Sequence, residues 1–178
     1  MAPLRRGAGV LRREGEQATR YKMRQKMVSI GDDFFIENEA GERAFYVDGK
    51  ALRVRETLVF KDMQGNDLYT IKEKLLHIKD TMDIYRGDDV AATVKKAIIS
   101  PIRDRWSVKI RDGPDLEVKG NILDHEYSIE EGRTSVARVS KKWFRVRDTY
   151  GVEVAPDQDD ALMLAVTTAL DMMAHSGR

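Results

Sequence analysis

The sequence predicts a mainly β protein: a twelve-stranded antiparallel closed barrel enclosing a buried C-terminal α-helix. Three observations lead there. The run Ala161-Leu-Met-Leu-Ala-Val-Thr-Thr-Ala-Leu-Asp-Met-Met-Ala174 is apolar almost all the way round, with Asp171 its only charge. A helix that is hydrophobic on every side has to be surrounded. Its fourteen residues reach only about 21 Å, short of a bilayer's hydrocarbon core, so the surround is protein. Finally, about twelve short β-type runs precede it, and a barrel of that size has room for a helix, whereas an eight-stranded one is filled by its own side chains.

The strand elements follow in order from Tyr21. Asp33-Phe-Phe-Ile-Glu37 leads into a turn at Glu39-Ala-Gly41, and Ala44-Phe-Tyr-Val47 ends at Asp48-Gly49, a tight-hairpin signal. Thr57-Leu-Val-Phe60 enters the turn Asp62-Met-Gln-Gly65, and Leu68-Tyr-Thr-Ile71 leaves it. The stretches Phe34 to Val47 and Leu58 to Ile71 thus repeat one hairpin plan. Further runs lie near Met82, Val90–Ile99, Val136–Val139 and Tyr150–Val154. Trp106, Val108 and Ile110 alternate with Ser107, Lys109 and Arg111, and Tyr127 and Ile129 alternate with Glu126, Ser128 and Glu130. Period two with one wet face describes antiparallel strands covering a core on one side.

The helix start is marked by Pro156, by Asp157 as the expected N-cap, and by Asp159 and Asp160 in the first turn, where the helix dipole favours anions. Ala161, Ala165 and Ala169 form a small-residue stripe for close approach to strands, and Met163, Met172 and Met173 fill gaps. Residues 1–19 read as a basic, Gly-containing tail and 20–178 as one domain.

Composition narrows function. With 31 Lys and Arg against 30 Asp and Glu, the net charge is +1, which removes any global case for nucleic-acid binding. There is no cysteine, so disulfides, thiolate chemistry, Cys-ligated zinc and palmitoylation are excluded. The first ten residues lack an apolar stretch, so no secretory signal is expected and a cytoplasmic location fits. His77, His125 and His175 are far apart, without a partner at ligand spacing, and read as solvated or helix-end histidines. Gly7-Ala-Gly9 lacks the strand, third glycine and helix of a dinucleotide loop. Asp157, Asp159 and Asp160 lack the Gly and bidentate Glu of a calcium loop, and helix capping accounts for them. No metal, cofactor or catalytic set is expected.

One segment stands out. From Arg133 to Arg147 the chain carries Arg133, Arg138, Lys141, Lys142, Arg145 and Arg147, no acid, and Trp143-Phe144. Cations beside amphipathic aromatics suit a membrane interface or another phosphate-rich partner. Lys95, Lys96, Arg103, Arg105, Lys109 and Arg111 extend the patch if their strands lie nearby. The competing reading makes these charges an ordinary outer strand face, balanced by Glu117, Glu126 and Glu130, with Trp143 and Phe144 in the core.

Several stretches resemble the LURP-one-related family, which shares the Tubby C-terminal-like fold with tubby proteins and phospholipid scramblases. They include Phe34-Phe-Ile-Glu-Asn38, Tyr46-Val-Asp-Gly49, Leu68-Tyr-Thr-Ile-Lys-Glu-Lys74, Ser135-Val-Ala-Arg-Val-Ser-Lys-Lys-Trp-Phe144, Asp148-Thr-Tyr-Gly-Val152 and the terminal helix, spanning about Tyr21 to Met173. The resemblance implies a twelve-stranded barrel around a helix and no established catalysis. Tubby relatives bind phosphoinositides and scramblases act at bilayers, although the local tubby lipid motif and the scramblases' cysteine-rich segment have no counterpart here. Two expectations follow. One is a non-catalytic module, monomeric, binding anionic membrane lipids through Arg138, Lys141, Lys142, Arg145 and Arg147, as a peripheral membrane protein. The other is a protein-interaction scaffold in signalling or defence, or a structural domain.

Overall fold

The alternating runs form the wall of a barrel and the apolar run fills it. The structure, a computed structural model, describes residues 17–24, 33–49, 57–73, 81–100 and 103–175. The strands are β1 (Thr19–Arg24), β2 (Phe34–Asn38), β3 (Arg43–Asp48), β4 (Thr57–Lys61), β5 (Asp67–Glu73), β6 (Thr81–Arg86), β7 (Asp89–Ser100), β8 (Arg103–Ile110), β9 (Asp115–Asn121), β10 (Glu126–Glu131), β11 (Thr134–Ser140) and β12 (Thr149–Val154). Each pairs antiparallel with its sequence neighbour, and β1 pairs with β12 from Thr19↔Val154 to Arg24↔Thr149, closing the barrel. Helix α1 (Asp160–His175) is the one helix among the described residues.

Every residue of α1 from Ala161 to Met172 is buried, and Leu164, Ala165, Val166, Ala169 and Leu170 are fully so. Its backbone runs closest to β5, β6, β7 and β12. Inward wall residues such as Ile36, Phe60, Ile71, Ile84, Val108 and Val152 meet it, so wall and axis share one core. The hydroxyls of Thr167 and Thr168 donate to the carbonyls of Met163 and Leu164, each at 2.9 Å, which satisfies them without leaving the helix.

The two ends of the barrel are built differently. At one end the connections are short: residues 39–42, 62–66, 87–88, 111–114, 132–133 and 155–159. The two hairpins expected to be alike are so bond for bond. In one, the Asn38 amide donates to the Glu42 carbonyl and the Gly41 amide to the Asn38 carbonyl. In the other, the Asp62 amide donates to Asn66 and the Gly65 amide to Asp62. Gly41 and Gly65 sit at φ +81° and +88°, where a side chain would be strained.

The α1 N-terminus is at this end. The Leu162 amide donates to the Asp159 carboxylate at 2.9 Å, so Asp159, and not Asp157, is the N-cap; Asp157 lies exposed in the preceding turn. The same carboxylate accepts from the Tyr69 hydroxyl at 2.6 Å and from Arg86 at 2.8 Å, and the Tyr21 hydroxyl donates to Asp160. Burial, then the bond to Asp159, pushes the Tyr69 phenol up to about 12.

At the other end, β3 and β4 are joined by residues 49–56, so Asp48-Gly49 does not make the two-residue turn its sequence signals. Residues 25–32, 50–56 and 74–80, which join strands there, lie outside the described residues, as do 1–16 of the basic tail.

Candidate functional site

The expected basic segment does not fold as one strand. Arg133 lies in the β10–β11 turn at the short-connection end, and Arg138 faces outward from mid-β11, opposite Ser128 on β10 and Glu153 on β12. The strand ends at Ser140, and residues 141–148 form a loop at the opposite rim. The chain turns there because Glu126 captures it. Its carboxylate accepts from the Ser140 hydroxyl at 3.0 Å and from the Lys141 amide at 3.1 Å, and the Lys142 amide donates to the Ser140 hydroxyl at 3.1 Å. Lys141 and Lys142 are therefore turn residues, the first half-buried and the second exposed, not alternate faces of a strand.

Trp143 and Phe144 are not in the barrel core. They fold back on the outside of β12, half-buried, against the bare backbone of Gly151. A Cβ at Gly151 would come within 2.8 Å of the Trp143 ring and 2.9 Å of the Phe144 ring, so only glycine leaves this seat open. The Arg20 guanidinium lies 5.1 Å from the centre of the Trp143 ring. The loop closes where the Thr149 hydroxyl donates to the Val146 carbonyl at 2.6 Å. Fixed at its start, middle and end, it presents Arg145, Val146 and Arg147 to solvent.

Electrostatically the loop differs from the strand faces. On the strands several cations are matched: Arg20 with Glu153 at 2.7 Å, Lys119 with Glu130 at 2.6 Å, and Lys22 with Glu37 and Arg105 with Glu117 in direct contact. Arg138 lies close enough to help hold the Glu130 carboxyl below its ordinary range, after Lys119 and Ser128. Arg111 pairs with Asp89 at the short-connection rim, at 2.7 Å, and Lys96 sits over Trp106 at 5.4 Å. Lys95 and Lys109 are exposed on the wall, and the side chain of Arg103 lies outside the described residues. Lys141, Lys142 and Arg145 make no ion pair among the described residues, and Arg147 has only its neighbour Asp148, at 3.9 Å. The structure thus gathers Lys141, Lys142, Arg145 and Arg147 at one rim and separates them from Arg133, Arg138 and Arg111.

The sequence reading missed one buried cluster. His125, read as solvated, is 3% exposed, and its Nε2 lies 2.8 Å from Asp171, the only charge of the helix's apolar run. An ionised carboxylate only accepts, so Nε2–H is the donor. The His125 ring stacks on Tyr150 at 4.2 Å, and His175 bonds through Nδ1 to the Asp171 carbonyl at 2.8 Å, as a helix C-terminus favours. Burial, then the Asp171 charge, raises the phenols of Tyr127 and Tyr150 well above their ordinary value. The cluster moors the C-terminal end of α1 as Asp159 moors its start. His77 lies outside the described residues. Among the described residues no three His, Asp or Glu side chains come together as a metal set.

Comparison with known proteins matches the same span. The chain is 27% identical over 154 residues to an uncharacterised protein, YxjI, of Bacillus subtilis, covering 86% of this chain and 93% of that one. It is 26% identical over 172 residues to protein LURP-one-related 15 of Arabidopsis thaliana, covering 86% and 79%. A solved X-ray structure of an Arabidopsis thaliana protein superposes with a TM-score of 0.66 at 20% identity over 90% of this chain and 93% of that one, a likeness of fold. The LURP-one-related family profile matches residues 19–171, from the first strand to the carboxylate that moors the helix, and the chain belongs to that family.

Proposed function

We propose that this barrel is a non-catalytic, peripheral membrane module that binds anionic phospholipid headgroups through Lys141, Lys142, Arg145 and Arg147. The observation that carries this reading is the pre-set β11–β12 loop, which gathers four cations at one rim. Three of them, Lys141, Lys142 and Arg145, are without an ion pair among the described residues, whereas Arg20, Lys22, Arg105 and Lys119 on the wall are paired. A loop held at three points loses little conformational freedom on binding. Each cation near an anionic surface contributes about 1 kcal/mol, screened over about 8 Å at physiological salt. The barrel interior is taken up by α1, which leaves headgroup recognition to the surface. Among the described residues no helix is long and apolar enough to span a bilayer, so attachment on this reading is peripheral.

Flotation with vesicles of phosphatidylcholine alone, with phosphatidylserine, or with a phosphoinositide tests it. Binding is expected on the anionic vesicles, falling as salt rises. Lys141→Glu with Lys142→Glu should weaken it about tenfold or more, with the melting temperature unchanged. Equal binding by wild type and the double variant across salt would refute lipid contact by this loop and leave it as a protein-docking surface.

A further inference from the structure

The cations of the β11–β12 loop frame an apolar side chain. Val146, between Arg145 and Arg147, is 56% exposed, more than Phe35, Met63 or Leu123, the other exposed large hydrophobic residues described. Leu123, 45% exposed, occupies the β9–β10 turn at the same rim. Both are held outward. Trp143 and Phe144 are seated on Gly151 before Val146, and the buried Thr149 follows it. Around Leu123, Ile122 and His125 are buried, the His125 amide donates to the Ile122 carbonyl at 3.1 Å, and Asn121 holds Asp124 through two bonds of 2.6 and 3.1 Å.

Val146, an exposed apolar tip between Arg145 and Arg147, fits an anionic bilayer, where phosphates take the charges and the acyl boundary takes the side chain. Leu123 adds a second apolar tip at the same rim, beside the exposed Asp124. The opposite rim has the reverse character. Its turns carry Glu39, Glu42, Asp62, Asp88, Asp112, Asp157 and Asp159 against Arg111 and Arg133, and an anionic surface repels it.

Resting on the headgroup reading above, we infer that the barrel docks end-on, with Val146 and Leu123 entering the headgroup–acyl boundary and the short-turn rim pointing into water. A free inositol phosphate engages the cations and leaves Val146 in solvent, so the two sources of the same phosphate chemistry are separable.

The chain has no cysteine, so single substitutions give unique labelling sites. Val146→Cys, Leu123→Cys and, at the far rim, Met63→Cys would each carry a polarity-sensitive fluorophore. They would be mixed with phosphatidylcholine/phosphatidylserine vesicles, with phosphoinositide vesicles, or with soluble inositol trisphosphate, and flotation would report binding separately. The expected result is a blue shift and quenching by acyl-chain-brominated lipid at 146 and 123, none at 63, and none anywhere with inositol trisphosphate. Val146→Asp should weaken vesicle binding about fivefold without changing the melting temperature. Variants that float with vesicles while the label at 146 stays in water would overturn insertion and leave headgroup binding standing. An equal shift at 63 would overturn the end-on orientation. Absence of flotation on every anionic vesicle would sink the headgroup reading, and insertion with it.

Discussion

The two rims of this barrel use charge in opposite ways. At the short-turn rim several charged side chains are spent on the protein's own backbone and neighbours. Asp62 accepts from the amides of Gln64 and Asn66, Glu42 accepts from the Asn38 side chain, and Asp159 caps α1 while holding Tyr69 and Arg86. At the other rim, Lys141, Lys142 and Arg145 are carried on a loop fixed by other groups, the Glu126 carboxylate and the Gly151 seat. Removing Asp62 or Asp159 from the first rim should cost structure, and removing a cation from the second should cost none.

The comparison breaks most visibly at the two moorings of the helix. Asp171→Leu leaves His125 buried without its acceptor, and breaking a buried pair from one side costs about 3–5 kcal/mol. The melting temperature should fall by about 10 °C or more. The double variant His125→Leu with Asp171→Leu should recover most of that, because no polar group is then stranded. Thermal denaturation of all three proteins checks it, and a double variant no better than the single one would rule out coupling.

A smaller loss is expected at the other mooring. Asp159→Ala removes the cap, at about 1–2 kcal/mol, together with the acceptor for Tyr69 and Arg86. Urea titration beside Lys142→Glu sharpens the contrast between rims: the first should unfold at lower denaturant and the second at the wild-type midpoint.

The smallest effect concerns Asp160. Burial, then the neighbouring Asp159 charge, raises its carboxyl, against the opposing bond from Tyr21. A folded-state value above the unfolded one makes its ionised form a cost in the native protein. That cost is present at neutral pH and vanishes as pH falls below the unfolded carboxylate range, about 4. Asp160→Asn should therefore melt slightly higher than wild type at pH 7, with the gap closing toward pH 4. A gap that widens on acidification would reverse the assignment.

The barrel was legible in the sequence for physical reasons that also mark where legibility stops. An all-round apolar helix has one kind of solution, and strands with one wet face carry period two, so wall and axis both show. The turn at Asp62–Gly65 shows because its residues are chosen by its own backbone. Lys141 to Arg147 misled because Arg145, Val146 and Arg147 alternate as a strand would; what takes them out of the sheet is Glu126, a carboxylate 15 residues earlier that captures the Lys141 amide. Glu126 looked like a surface acid. His125 misled for a related reason, since its partner lies 46 residues away. The usable signal was on the other partner: a lone aspartate in an otherwise apolar buried run requires a buried donor. The helix cap was misplaced because Asp157, Asp159 and Asp160 are equally good acceptors by type, and only backbone geometry selects among them.

The position of α1 in the chain has a consequence for how the protein is made. The helix follows all twelve strands, so a ribosome delivers the whole wall before any of the filling. Closure also waits, since Arg20 on β1 meets Glu153 on β12, which is synthesised 133 positions later. At about 5–20 residues per second, the inner faces of the early strands spend on the order of ten seconds uncovered. Pairings of such long range are slow even once the chain is free. The nascent wall is thus a set of apolar hairpins awaiting their last partner, open to misassociation until Ala161 to Met172 joins them. A polypeptide released before that point would yield aggregate in place of an empty barrel.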